Sequence, residues 1–397
     1  MNGPLNGITV VSFCRALAGP YATMTLADLG AEVIKVETPG TGDQTRVSIP
    51  RINGVSSYFL SVNRGKKSLT LDLKNEKGRQ IAIELIKNSD VLVENFRPGV
   101  MERLGLDYET VQQINPRIVY ASISGFGQTG PYAKRPAYDM LAQGMGGVVS
   151  LTGTGEEGSP AVRVGYSIGD MAAGLYGVIG IQAALLERQV SGKGQWVDVA
   201  MMDSQVALAE NAMVRYMATG EIPKPLGSRH PLATPFQVYE TRDRPIVLIA
   251  YSDSLWAKFC RAAGMEEWID HELYGSQQGR LQNIDQFNRD MNTLMRSRTY
   301  QEWADAFESS QVMFGPVNNM ADLVEDPQVQ EREMIVTVDH PEAGRHRIVN
   351  CPIKLSRTPT RVDTAGPVLG ADTDTILTTM LSLSEEQIAA LRESGVI

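Results

Sequence analysis

The chain has 397 residues, 43% hydrophobic and 21% charged, which is enough for two domains with separate cores and too apolar for a disordered chain. Its formal charge of −9 and isoelectric point near 5.2 argue against a general nucleic-acid binder, which carries a basic stripe or domain. The opening MNGPLNGITVV has no basic stretch leading into an apolar one, and no apolar run reaches ~18 residues. Neither secretion nor membrane insertion is therefore expected, and the cytoplasm is the expected compartment. Cys14, Cys260 and Cys351 are odd in number and far apart, which excludes a disulfide framework and a CxxC metal or redox site. Cys14 reads as a buried small hydrophobe at a strand end rather than as a reactive thiol.

In chain order, residues 7–13 predict a buried strand, Pro20 an early helical position, and residues 31–37 a second strand after the Gly30 stop. Strands at 91–93 and 118–123, with helices around 78–88 and 100–115, continue the alternation. The pattern predicts the α/β class, an open Rossmann-like parallel sheet with helices on both faces. No G-x-G-x-x-G follows the first strand and no Walker A pattern occurs, and Gly153, Gly155 and Gly158 lie in a predicted loop. A dinucleotide dehydrogenase or P-loop phosphotransferase is thus disfavoured. Arg64, Lys66, Lys67 and Lys74, followed by Arg97 and Arg103, form a local basic cluster. It suits either an anionic ligand or a solvated turn.

The most informative stretch is AVRVGYSIGDMAAGLYGVIGIQAALLERQVSGKGQWVDVAMMDS, at 161–204. It places Asp170 directly before a predicted helix over 171–186 that is apolar apart from Gln182 and carries Gly174, Gly177 and Gly180, spaced for close backbone approach. Unsatisfied amides of a first turn favour an ionised acid, and with an ordinary pKa of about 3.9 Asp170 is expected to be a carboxylate at neutral pH. Such a group is a nucleophile that needs no base. On local evidence alone it reads first as an N-cap.

Beyond Ala200, PKPLGSRHPLATP is a turn-rich connector, 236–250 predicts a hairpin around Thr241 to Arg244, and 252–298 carries helices with Trp256 and Trp268. Gly315-Pro316 marks the exit. The tail has a strand-like HRIVNCPIKL and a last helix from Glu385, where Ser384 and Gln387 fit a capping box. The connector reads as a domain boundary.

The segment around Asp170, together with LAGPYATMTLADLGAEVIKVE, NRGKKSLTLDLK, VLVENFRPGVMERLGLDY, SGFGQTGPYAKRPAYDMLAQGMGG and FGPVNNMADLVEDPQVQEREM, resembles the family III CoA-transferases, the group that includes formyl-CoA and carnitine CoA-transferases. The resemblance covers most of the chain. It implies the full organisation: a large α/β domain over 1–200, a linker over 201–228, a smaller α+β domain over 229–325, and a linker with a C-terminal segment over 326–397 that completes the large domain. By the same resemblance the large domain binds CoA, two subunits interlock as a homodimer, and no cofactor is held permanently, CoA thioesters being substrates. It also implies that Asp170 is the catalytic nucleophile, forming first an aspartyl-acyl anhydride and then an aspartyl-CoA thioester.

Arg15, Ala18, Leu71, Lys74, Asn95, Phe96, Arg103, Tyr138 and Asp139 fall where the family's motifs place CoA or substrate contacts. Gly227 and His230 are the lid or oxyanion candidates, although this segment departs from the glycine-run lid of some members. Leu17 stands where formyl-CoA transferase has glutamine, and Arg15 where it has histidine, which implies a different acid. Arg15, Arg46 and Arg135 suit a dicarboxylate such as succinate. One alternative is an α-methylacyl-CoA racemase, disfavoured because Tyr138 occupies its histidine position and tyrosine is a poor base at neutral pH. The other is a CoA-binding subunit of a heteromeric transferase, disfavoured by the presence of Asp170. Partners are thus an acyl-CoA and a free carboxylic acid, with neither nucleic acid nor membrane.

Overall fold

A computed structural model describes residues 3–156 and 158–397. The chain divides into two compact units, one comprising Met1–Val149, Arg163–Glu221 and Pro327–Ile397, the other Ser150–Val162 and Ile222–Asp326.

The first unit alternates β1 (Thr9–Ser12), α1 (Ala18–Asp28), β2 (Glu32–Glu37), α2 (Ser57–Val62), β3 (Lys66–Thr70), α3 (Glu76–Lys87), β4 (Val91–Glu94), α4 (Val100–Leu104), α5 (Tyr108–Ile114), β5 (Val119–Ser124), α6 (Asp139–Met145), α7 (Ile168–Ser191) and β6 (Trp196–Ala200), and continues into α8 (Met201–Leu208) and α9 (Glu210–Thr219). The six strands form one parallel sheet in the order β3-β2-β1-β4-β5-β6. Central strands such as VLVE and VYASIS are buried on both faces, which is why they read as short apolar runs.

One face packs Val10, Val91, Val119 and Ala121 against Ala22 and Leu26 of α1 and Ala173, Val178 and Ile181 of α7. The glycines of α7 make this possible. A Cβ on Gly174 would lie 2.9 Å from the Ala18 carbonyl oxygen, one on Gly177 2.7 Å from Ile123, and one on Gly180 2.6 Å from Val197. By length and composition α7 could cross a membrane; here it is the core helix on which α1 and the sheet close, and Arg188 near its end is paired with Asp90 at 2.9 Å.

The other face packs Val11, Ile34, Leu69 and Leu92 against Ile81 and Leu85 of α3, Val111 of α5, and Ile376, Leu377 and Ile388 from the end of the chain. The tail is stitched in by the Ser68 amide donating to Asp372 at 2.8 Å and the Asp72 amide to the Val396 carbonyl at 2.8 Å. The last helix starts at Glu385 with the Ser384–Gln387 capping box.

Three local expectations change. The helix expected over 100–115 is two helices, because Gly105 takes a left-handed φ of 68° and ends the first. Residues 201–219 are mostly helical and belong to the first unit instead of forming a linker, and Ser150–Val162 joins the second unit. In that second unit the predicted hairpin forms as β7 (Phe236–Glu240) and β8 (Pro245–Ile249), and β9 (Met313–Pro316), expected only as an exit turn, pairs antiparallel with β8. Trp256, Phe259, Phe287, Trp303 and Phe307 fill its core.

Candidate active site

In a sheet of order 3-2-1-4-5-6, the chain leaves β1 and β4 in opposite directions, so the loops beyond their C-terminal ends part and open a crevice. Both loops here carry residues singled out by sequence. They are tied together: the Arg15 amide donates to Asn95 Oδ1 at 2.8 Å, and Asn95 Nδ2 donates to the Arg15 carbonyl at 2.8 Å. Ala16 turns the chain with a left-handed φ of 62°, and α1 starts two residues later at Ala18.

Asp170 does not precede α7. The helix starts at Ile168 after Ser167, whose side chain makes no cap, and Asp170 is its third residue. The capping expected of Asp170 falls to Asp139, the first residue of α6, whose carboxylate accepts from the Gly169 amide at 2.8 Å, the Asp170 amide at 3.4 Å and Gln143 Nε2 at 2.7 Å. Asp139 is thereby buried and engaged with the helix start. The Asp170 carboxylate, free of capping, shares a cavity wall with Ala18 at the start of α1, whose backbone amide favours its ionised form. The first amide of one helix thus acts on an acid in the first turn of another.

Burial first, and the neighbouring Asp139 carboxylate second, push the Asp170 carboxyl up to about 7, against the Ala18 hydrogen bond, which lowers it. This corrects the expectation of full ionisation at neutral pH. Two helix starts help the anion, but desolvation and a like charge outweigh them.

Asp170 lines a cavity of about 220 Å³ whose wall includes Ala18, Leu17, Asn95, Arg97, Arg135 and Tyr138. Arg15 and Phe96 border both this cavity and a larger one of about 770 Å³ lined by Thr38, Leu71, Lys74 and Leu104. The Arg15 guanidinium stands over the Phe96 ring at 5.3 Å and donates to Thr38 Oγ1 at 3.2 Å. The two chambers bring together Arg15, Ala18, Leu71, Lys74, Asn95, Phe96, Tyr138 and Asp170.

Arg103 is not with them; it lines a cavity of about 830 Å³ beside Tyr108 and Trp196. Gly227 and His230 belong to the second unit. The Gly227 amide donates to the Gly153 carbonyl at 2.8 Å. His230 stacks on Phe236 at 4.9 Å, and its Nδ1 accepts the Leu232 amide at 3.1 Å.

The basic cluster is smaller than the sequence implies. Arg64 grips the buried Asp28 at 2.6 and 3.0 Å, and Lys67 pairs with Glu32 on the surface. Lys66 Nζ is buried and donates to the Pro20 and Val62 carbonyls and Asn63 Oδ1, and burial pushes it well below the usual lysine range. Arg46, read as a candidate for a second carboxylate, is consumed by Glu37 at 2.7 and 2.8 Å and covers Phe59. Two features escaped the sequence. Tyr58 of α2 feels Asp170, Asp43 and Asp139, which add to burial in pushing its phenol up to about 12. Lys35 and Asp43 form a buried ion pair at 2.8 Å beneath the β1 loop. Tyr58 lies outside the quoted motifs; Lys35 lies within LAGPYATMTLADLGAEVIKVE, but its partner Asp43 lies beyond it, so the pairing was not read.

A Rossmann-type sheet with a two-chambered crevice at its switch point, and an acid held near neutrality in its wall, defines an α/β enzyme built for a long ligand with a reactive tip. A family model described as CoA-transferase family III matches residues 5–373. The chain is 37% identical to the succinyl-CoA:glutarate CoA-transferase of Homo sapiens, covering 99% of this chain and 90% of that one. It is 38% identical to the acetyl-CoA:oxalate CoA-transferase of Acetobacter aceti, covering 89% and 90%. A CAIB/BAIF family protein from Brucella suis superposes with a TM-score of 0.86 at 35% identity, covering 96% and 100%. The chain belongs to the CoA-transferase family III, and it is a CoA-transferase, using CoA thioesters as substrates.

Proposed function

We propose that this enzyme moves CoA from a short dicarboxylic acyl-CoA, succinyl-CoA foremost, to a second free carboxylic acid, with Asp170 as the nucleophile. The observation that carries the proposal is that Asp170 lines the narrow chamber together with Arg15, Ala18, Asn95 and Tyr138, while burial and Asp139 raise its carboxyl to about 7. The larger chamber suits the nucleotide end of CoA, where Lys74 meets phosphates, and the narrow one suits the pantetheine arm and thioester.

Ionised Asp170 attacks the thioester carbonyl, the C–S bond breaks, and CoA leaves as thiolate from an aspartyl-acyl anhydride. The thiolate then attacks the Asp170 carbonyl and expels the donor acid, leaving an aspartyl-CoA thioester. An incoming carboxylate attacks that thioester, giving a new anhydride and thiolate, and attack by the thiolate on the acceptor carbonyl releases the product and restores the Asp170 carboxylate. Thioester and carboxylate are each regenerated, so the exchange is nearly balanced in energy. The Ala18 amide is placed to share the negative charge as it moves between oxygens.

A second carboxylate would meet Arg135, which lies over Tyr132 at 5.0 Å, and Arg15. Relatives named for glutarate and oxalate support a dicarboxylate. Mass analysis after incubation with succinyl-CoA or acetyl-CoA and a panel of mono- and dicarboxylic acids tests this. New CoA esters of dicarboxylates are expected; hydrolysis alone, or exchange confined to monocarboxylates, overturns it.

We also infer a homodimer. The exposed side of α7 and α9 shows Ile179, Leu186, Val190 and Met217 at 59%, 72%, 89% and 68% exposure, an apolar surface that a second copy would cover.

A further inference from the structure

The Lys35–Asp43 pair sits under the crevice with both side chains 1% exposed or less. Lys35 comes from β2 and Asp43 from the loop that follows. Burying two charges needs an explanation beyond stability, since an apolar pair of similar volume often holds a fold equally well. The contacts supply one. Lys35 Nζ donates to the Cys14 carbonyl at 2.8 Å, and Asp43 Oδ1 accepts the Ala16 amide at 3.4 Å. One ion pair thus grips the β1 loop on either side of Arg15, whose own peptide groups are held by Asn95.

The grip falls where the backbone needs it. Ala16 is left-handed, a conformation that disfavours residues with a Cβ. Asp43 is held in turn by the Thr45 amide and hydroxyl at 2.9 and 2.8 Å, and its own amide donates to Glu37 at 3.0 Å. Burial opposes ionisation of Asp43, but Lys35 and Thr45 outweigh it and hold the carboxyl below its usual range.

We propose that the Lys35–Asp43 ion pair is a positioning device, fixing the Cys14–Leu17 turn and with it the start of α1 at Ala18, in the cavity wall that Asp170 shares. The proposal rests on Asp170 being the nucleophile. Around Asp170 stand Asp139 from α6, Tyr58 from α2, and Arg15, Arg97, Arg135 and Tyr138 in the cavity wall, with Tyr21 of α1 one turn further along α7 against Gly174. Burial and Asp139 raise the Asp170 carboxyl, and the Ala18 amide is the contact that lowers it. Loosening the turn removes that contact and leaves the nucleophile protonated more of the time.

The test is the pH profile of CoA transfer, between about pH 5.5 and 9.5, for Lys35→Met, Asp43→Leu and the double variant, with folding followed by circular dichroism. The wild-type acid limb is expected near pH 7. In the variants it should rise by about one unit, so that transfer at saturating acyl-CoA drops roughly fivefold at neutral pH and recovers at about pH 9. A merely structural pair would lower activity at every pH. Lys67→Gln, which breaks a surface pair on the neighbouring strand, should leave the profile unchanged. A folded double variant with the wild-type limb, or a uniform loss across pH, overturns the proposal. So does a double variant that fails to fold, since the pair would then hold the fold as a whole. Hydroxylamine trapping on the wild type separates the two levels: a hydroxamate on Asp170 with an unmoved limb in the variants refutes only the positioning, whereas no hydroxamate refutes the nucleophile.

Discussion

Asp170 and Asp139 divide between them a task that local sequence assigns to one residue. Asp139 caps α7 from 31 positions upstream, which frees Asp170 to face the crevice, and the same closeness of two carboxylates lifts the Asp170 carboxyl to about 7. Replacing Asp139 with asparagine keeps an acceptor for the Gly169 amide but removes the charge. The acid limb of transfer should therefore move below pH 7, and an unmoved or raised limb would contradict this electrostatic account. Asp170→Asn should abolish transfer by several orders of magnitude, as loss of a covalent nucleophile does. It should also stabilise the protein. Because the folded pKa is raised above the unfolded one, the fold is favoured while Asp170 is protonated and loses that advantage as pH rises from about 4 to 7. Thermal unfolding should thus show Asp170→Asn more stable than wild type by up to about 4 kcal/mol near pH 8 and equal to it near pH 4. Equal stability at both would show that Asp170 carries no such strain.

At the scale of elements, the βαβ alternation was legible because strands buried on both faces are short apolar runs and helices carry a longer period. The strands expected at 7–13, 31–37, 91–93 and 118–123 match β1, β2, β4 and β5 to within two residues, whereas β3 and β6 were not anticipated. What stayed hidden was pairing across the chain. Arg64, Lys66, Lys67 and Arg46 read as available cations because Asp28, Glu32 and Glu37, with the carbonyls that hold Lys66, come from other elements. The start of α7 was misplaced for the same reason: Ser167 and Asp170 both look like caps, and the cap that prevails comes from another helix. The glycines were read correctly as points of close approach, and they join packing to chemistry, since Gly174 lies under the Ala18 carbonyl. Gly174→Ala should push α1 away from α7, costing about 1–3 kcal/mol and lowering transfer by carrying the Ala18 amide off Asp170. Unfolding and kinetic assays on the same variant check both, and an active, fully stable variant would show that the α1–α7 contact does not set the site.

At the scale of the whole molecule, the chain returns from the second unit to close the far face of its own first sheet, with Ile376, Leu377 and Ile388 against Leu69 and Ile81. Sequence pattern alone shows that these residues are apolar, not which face they seal; the family resemblance supplied that expectation. An interlocked assembly is equally invisible to periodicity. If a second copy covers the apolar side of α7 and α9, sedimentation at micromolar concentration should show a dimer, and dissociation should accompany unfolding. A folded, active monomer under those conditions would contradict the homodimer.

The central claim is that acyl groups pass through Asp170. The most direct measurement is mass analysis of the peptide bearing Asp170 after turnover of succinyl-CoA with hydroxylamine present. A hydroxamate at Asp170, absent without the acyl-CoA, is the result the account predicts; an unmodified Asp170 peptide from an enzyme still transferring CoA, or undiminished transfer by Asp170→Asn, would contradict it.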